Sequence, residues 1–145
     1  MTILNKKKRD NIEDILNTFE LSAIQQSSAQ EQGDHKTYNK FQKIIMKCIV
    51  KLHDGHSLHL LQKFLTHDNS NVRLCAAYAL LPVCEKESMS VLDEIAKGKY
   101  FLQSISAEWT MRFWRNGELI YPYQKEYGNK ETVGTKSVLE LESKS

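Results

Sequence analysis

Proline and glycine are scarce in this chain, two and six of 145 residues, and runs of valine, isoleucine and threonine are few. Sheet proteins need those β-branched runs and the turn residues between them, so the shortage favours helix. No stretch approaches the ~20 apolar residues of a membrane span. The basic start Lys6-Lys7-Lys8-Arg9 leads into amphipathic, acid-bearing sequence and not into the apolar run of a signal peptide, so a cytoplasmic location is expected. The cysteines are only three, Cys48, Cys75 and Cys84, an odd number inside predicted helices. That excludes a complete disulfide framework and fits free thiols in a reducing compartment. Gly-rich phosphate loops, nucleophile elbows and zinc-protease helices are all missing. The carboxylate pairs Glu13/Asp14 and Asp93/Glu94 are neighbours in sequence, and helical neighbours point about 100° apart, poorly placed for shared acid–base work. The expectation is a protein that is not an enzyme and carries no cofactor.

What is present is ordinary for a soluble globular domain: 41% hydrophobic and 26% charged residues, net charge +2, enough chain for one real core. Residues 1–9 read as a flexible basic N-terminus, 10–127 as one helical domain, and 128–145 as a polar, disordered tail. Helix 1 is predicted from Asp10 to about Gln32, with Ile12, Ile15, Leu16, Phe19 and Ala23 on one face and Gly33 as its stop. Asp34 caps helix 2, which runs to about Leu52 with Tyr38, Phe41, Ile44, Ile45, Cys48, Ile49 and Leu52 on its apolar side. Gly55 breaks the chain. Helix 3, His56 to Thr66, buries Leu58, Leu61, Phe64 and Leu65. Helix 4 starts in the Asp68–Asn71 cluster and ends near Pro82. Helix 5 runs from Lys86 or Ser88 to Lys97, and helix 6 from Gln103 to Arg115. Asn116-Gly117 stops the last helix, and an extended or turn-like segment through Tyr121, Pro122 and Tyr123 follows.

The stretch Asp68-Asn69-Ser70-Asn71-Val72-Arg73-Leu74-Cys75-Ala76-Ala77-Tyr78-Ala79-Leu80 organises this layout. Four residues able to cap a helix precede a segment that is apolar almost all round. Val72, Ala76, Ala79 and Val83 make one stripe, and Leu74, Tyr78 and Leu81 another. Such a helix belongs in the middle of its neighbours, and its alanines let them approach closely. The pattern resembles the second helix of a HEAT-type repeat, with Leu58–Leu65 as the first helix, over residues 56–84. More loosely, residues 11–117 resemble a bacterial family of small single-domain HEAT-like proteins without assigned activity. The resemblance implies that Asp68 caps the helix, that Arg73 bonds back to the turn as its structural partner, and that the alanines form the seam. The expected fold is therefore all-α: about six helices in antiparallel pairs, a HEAT-like solenoid fragment with a short irregular C-terminal cap.

Two places could carry binding. Lys36, Lys40, Lys43, Lys47 and Lys51 fall within about 80° of one another on helix 2. No acidic residue inside that stretch can pair with them, and like charges one turn apart cost a few tenths of a kcal/mol each. The bland alternative is a solvated face whose lysine stems cover apolar edges. At the other end, Arg112, Trp114, Arg115, Tyr121 and Tyr123 are of the types that anchor protein interfaces. Alternatively, the tyrosines fold back to seal the end of the stack. His53, His56 and His59 with Asp54 invite a metal reading, but the Gly55 break separates the first from the other two, and two ligands do not close a site. No metal site is assigned. The expected partner is another protein, a toxin domain bound by an immunity-type inhibitor or the client of an adaptor. Nucleic acid or another polyanion on the lysine face is the alternative, weakened because the face lacks aromatics and arginines.

Overall fold

Five α-helices and one long 3₁₀ helix make up the fold, and no strand occurs among the described residues. The structure is a computed structural model that describes the backbone of residues 2–128 and the side chains of 11–127. The protein is all-α. Helices α1 (Thr2–Glu31) and α2 (His35–Asp54) form a long hairpin. A 3₁₀ helix (Leu58–Thr66) leads to α3 (Ser70–Leu80), which is followed by α4 (Glu85–Ala96), α5 (Phe101–Arg115) and a short 3₁₀ turn (Lys125–Gly128).

Helix α1 begins at Thr2, not at Asp10, so the backbone of the basic block belongs to the helix. Lysine and arginine are good helix formers, and the helix has no breaker before Gly33. The tail predicted over 128–145 lies, from residue 129 on, outside the described residues. The α1–α2 turn is built as read. Gly33, at φ +69°, accepts the left-handed conformation, and its N–H and that of Asp34 close back onto the carbonyls of Gln30 and Ala29, the double bond of a Schellman stop. Asp34 then caps α2, its carboxylate accepting from the Thr37 N–H and hydroxyl. The Thr37 hydroxyl, then its N–H, hold the Asp34 carboxyl below its ordinary pKa.

The stretch predicted as helix 3 is a 3₁₀ helix that starts later, at Leu58. Its buried residues are Leu58, Leu61 and Phe64, a strict spacing of three. A 3₁₀ helix has three residues per turn, so all three stand in one row and enter the same core. The break before it also differs. Gly55 keeps an ordinary φ of −87°, and His56 takes the left-handed position at φ 54°.

Helix α3 is the shared spine. Val72, Cys75, Ala76, Ala79 and Leu80 meet α1, α2 and the 3₁₀ helix in a first core with Phe19, Ile45, Ile49, Leu52 and Leu61. Leu74, Ala77 and Leu81 meet Leu92, Ile95, Ala107 and Met111 of α4 and α5 in a second. Ala76, Ala77 and Ala79 are wholly buried. Two members of the predicted stripes behave otherwise. Val83 lies past the helix end and is 44% exposed. Tyr78 is half-buried and packs on the first core instead of the second.

The α3 cap is Asn69, whose side-chain oxygen accepts from the N–H groups of Asn71 and Val72. Asp68 sits one residue too early to cap, and its carboxylate is left at the surface. Arg73 reaches back to the turn and donates to the carbonyls of His67 and Asp68 at 2.7 and 3.1 Å. Thus Arg73 and Asp68 meet through the Asp68 backbone. Asn71 is buried and cross-links the spine to α1, donating to Ala23 O and Gln26 Oε1. Gln26 in turn donates to Gln42 of α2. A buried amide left without partners would cost about 1–3 kcal/mol, and this chain of three amides leaves none so.

Candidate protein-binding faces

The lysine ridge is a direct product of how α2 packs. Ile45, Cys48, Ile49 and Leu52 point into the first core, so the residues opposite must face water. Lys36, Lys40, Lys43, Lys47 and Lys51 are all exposed and extend over roughly 22 Å at 1.5 Å per residue. None of them has an ion pair among the described residues. Lys40 runs beside its neighbour, with Nζ 5.5 Å from the Phe41 ring centre. The ridge is a row of five like charges that ends at the exposed Asp54, three residues past Lys51 on the same side of α2, and the helix is held along its length by α1.

The aromatic end does not form one site. Tyr121 is 3% exposed, and its hydroxyl donates to the Tyr78 carbonyl at 2.6 Å. Its ring lies 4.8 Å from that of Tyr78 and 5.4 Å from that of Tyr123. Tyr123 in turn stacks flat on His53 at the end of α2, centre to centre 3.6 Å. The segment after α5 is thus a strap that returns across α3 to α2, with Tyr121 and Tyr123 packed back onto Tyr78 and His53. Trp114 is half-buried against the second core. Arg112 and Arg115 are exposed. Arg112 lies over the Trp109 ring at 4.9 Å, and Trp109 stacks on Phe113 at 5.3 Å. Of the five residues singled out at this end, the two arginines remain on the surface.

One exposed residue escaped the sequence reading. Phe101 is 74% exposed and opens α5 two residues before the predicted start at Gln103. Its spacing from Ile105 and Trp109, four and eight residues, is the signal that could have found it.

Reactive groups are subdued. Burial pushes the Cys75 thiol up to about 12 and raises that of Cys48 as well, so neither carries much thiolate near neutrality. Among the described residues, no three of His, Cys, Asp and Glu come together as a metal site. His67 is instead tied between Glu20, 2.8 Å from Nε2, and the Asn69 N–H, which donates to Nδ1. That bond fixes a tautomer with the proton on Nε2. No helix among the described residues is long and apolar enough to cross a membrane.

The profile of a domain family described as "Domain of unknown function (DUF2019)" matches residues 13–114. The chain belongs to that family. The DUF2019 match takes in the lysine ridge, the α3 spine and all but the last residue of α5, while the tyrosine strap lies beyond it. No curated protein and no solved structure matches the chain.

Proposed function

We propose that this chain is a non-catalytic protein-binding module whose α2 lysine ridge docks on an acidic face of another protein. The observation that carries the reading is the row of five exposed lysines, none of them in an ion pair among the described residues. Like charges at one-turn spacing are mildly unfavourable in the free protein, and an acidic partner relieves them while steering encounter. The fold reading behind it is a HEAT-like stack. The Arg73 bonds to the turn and the alanine spine support it, although Asn69 takes the capping place that the resemblance gave to Asp68. A small helical module of this kind fits an immunity-type inhibitor in the cytoplasm, occupying a toxin domain's surface, or an adaptor. With the tyrosines folded inward, the ridge is the stronger of the two candidate places.

The test is capture with lysine-reactive cross-linking, comparing wild type with K40E/K43E/K47E. Cross-links from one captured protein to the ridge are expected. The triple variant should weaken capture on the order of a hundredfold, at roughly 1 kcal/mol per reversed charge. A variant that captures the same protein as well as wild type removes the ridge from the reading. If heparin or DNA binds instead, with affinity falling steeply in salt, the ridge is a polyanion site.

A further inference from the structure

Exposed apolar side chains gather at the start of α5. Of the four large ones exposed among the described residues, Tyr100 and Phe101 are adjacent, and Phe101 is the most exposed at 74%. At 100° per residue, Phe101, Ile105, Glu108, Trp109, Arg112 and Arg115 share one side of the helix, within about 120°. The opposite side, with Gln103, Ala107 and Met111, is buried. Ile105 and Trp109 continue the apolar line from Phe101 and are half-buried, and Glu108, Arg112 and Arg115 flank it at the surface. Glu108 and Arg112 stand one turn apart in the order that favours an ion pair, yet they do not pair. The Arg112 guanidinium is turned to the Trp109 ring instead. None of the three charges has an ion-pair partner among the described residues.

We propose that this stripe is a self-association surface, on which a second copy of this chain docks with its own α5 antiparallel about a twofold axis that crosses the stripe midway between Glu108 and Arg112. Charge complementarity selects this occupant. In a twofold interface residue i meets j and j meets i, and an axis midway between them sets Glu108 of each copy opposite Arg112 of the other. Both charges, unpaired among the described residues, are then matched, twice over. Trp109, already capped by a guanidinium, lies beside the axis, where anchor residues of interfaces concentrate. The same axis sets Ile105 of each copy against the stem of Arg115 of the other, and Phe101 toward the half-buried Leu119 just past the helix end. The lysine ridge could not do this, since a row of one sign repels its own copy. The proposal is independent of what the ridge binds.

Sedimentation velocity of the full chain, from low micromolar to near-millimolar concentration at low salt, should show a monomer–dimer equilibrium. E108R and R112E each place like charges opposite one another, and each should weaken the dimer on the order of a hundredfold. Mixed in equal amounts they should pair again, because each repulsive contact of one variant becomes attractive against the other. F101E, which leaves both charges in place, should also be monomeric, with helix content by circular dichroism unchanged in all three. A wild type that stays monomeric throughout overturns the proposal. So does any of the three variants dimerising like wild type, or a mixture of E108R and R112E that stays monomeric.

Discussion

Helices α2 and α5 each expose one long face, and the two faces differ in kind. The α2 face is a row of five lysines closed at its C-terminal end by Asp54, with its hydrocarbon mainly in the lysine stems. The α5 face mixes Phe101, Ile105 and Trp109 with charges of both signs. Both helices are fixed in the same manner, by an apolar side pressed into a core that α3 shares. The scaffold therefore does not decide what each face can bind; the sign pattern does. A single-sign row repels its own copy and needs a partner unlike itself. A mixed row with an apolar centre can complement itself. One small stack can present both kinds because its cores lie on opposite sides of one alanine-rich helix.

The strongest way to break that comparison is to break the shared spine on one side only. Ala76 is wholly buried in the first core and Ala77 in the second. Ala76→Leu should cost about 3 kcal/mol by overpacking against α1 and α2, read from urea unfolding. Ala77→Leu should cost a similar amount from the α4–α5 side. If the stack is one cooperative unit, each substitution lowers a single transition seen equally by the tryptophans and by circular dichroism. A second transition appearing in only one variant would show that the two faces hang from independently stable halves.

Much of this scaffold was legible in the sequence because it depends on periodicity. The core residues of α1 and α2, the Gly33–Asp34 turn and the lysine ridge all follow from spacing and local cap chemistry. What was missed depends on distant partners. Asn71 looks like a helix cap in sequence, because asparagine caps helices, but its amide bonds to Gln26, 45 positions away. Tyr121 and Tyr123 have an apolar body and a polar tip, which suit an interface and a fold closure equally, and only the position of Tyr78 and His53 decides. The spacing of Leu58, Leu61 and Phe64 did contain the 3₁₀ geometry, but Leu65 beside them also satisfies an α-helical pattern. Phe101 was passed over because helix ends are the least determined part of a periodic signal.

The strap sharpens the comparison next, since it returns from the α5 end to the α2 end. Burial first, and neighbouring tyrosines second, raise the phenol pKa values of Tyr78 and Tyr121 above the ordinary value. A raised acid pKa means the fold favours the neutral ring. The stabilisation is complete below about pH 10, where the unfolded chain's tyrosines ionise, and declines above it by about 1.4 kcal/mol per pH unit per ring. Tyr121→Phe loses the hydroxyl bond to Tyr78 and should cost about 1 kcal/mol at neutral pH. It also removes one ionisable ring, so its stability should meet that of wild type near pH ~11, one unit past the onset. Urea midpoints at neutral pH and on either side of that point test this. A variant that stays less stable by a constant margin would mean that Tyr121 ionises in place and the strap is open at high pH.

The smallest effect concerns where the ridge helix ends. Helices α1 and α5 stop at Gly33 and Gly117, both left-handed, at φ +69° and +71°. Helix α2 has the same double closure, with the His56 and Ser57 N–H groups bonding to His53 O and Leu52 O, but the left-handed residue is His56 and the glycine stands one place earlier. A side chain there costs roughly 1–2 kcal/mol of backbone strain, while glycine would lose about 0.5–1 kcal/mol more entropy on folding. His56→Gly should therefore stabilise the protein by about 0.5 kcal/mol, measured as a small rise in urea midpoint with unchanged slope. His56 is exposed, so burial contributes little that the substitution would forfeit. An unchanged or lowered midpoint would mean the imidazole compensates the strain at the surface, and that the end of the lysine ridge is set by that side chain and not by the helix stop.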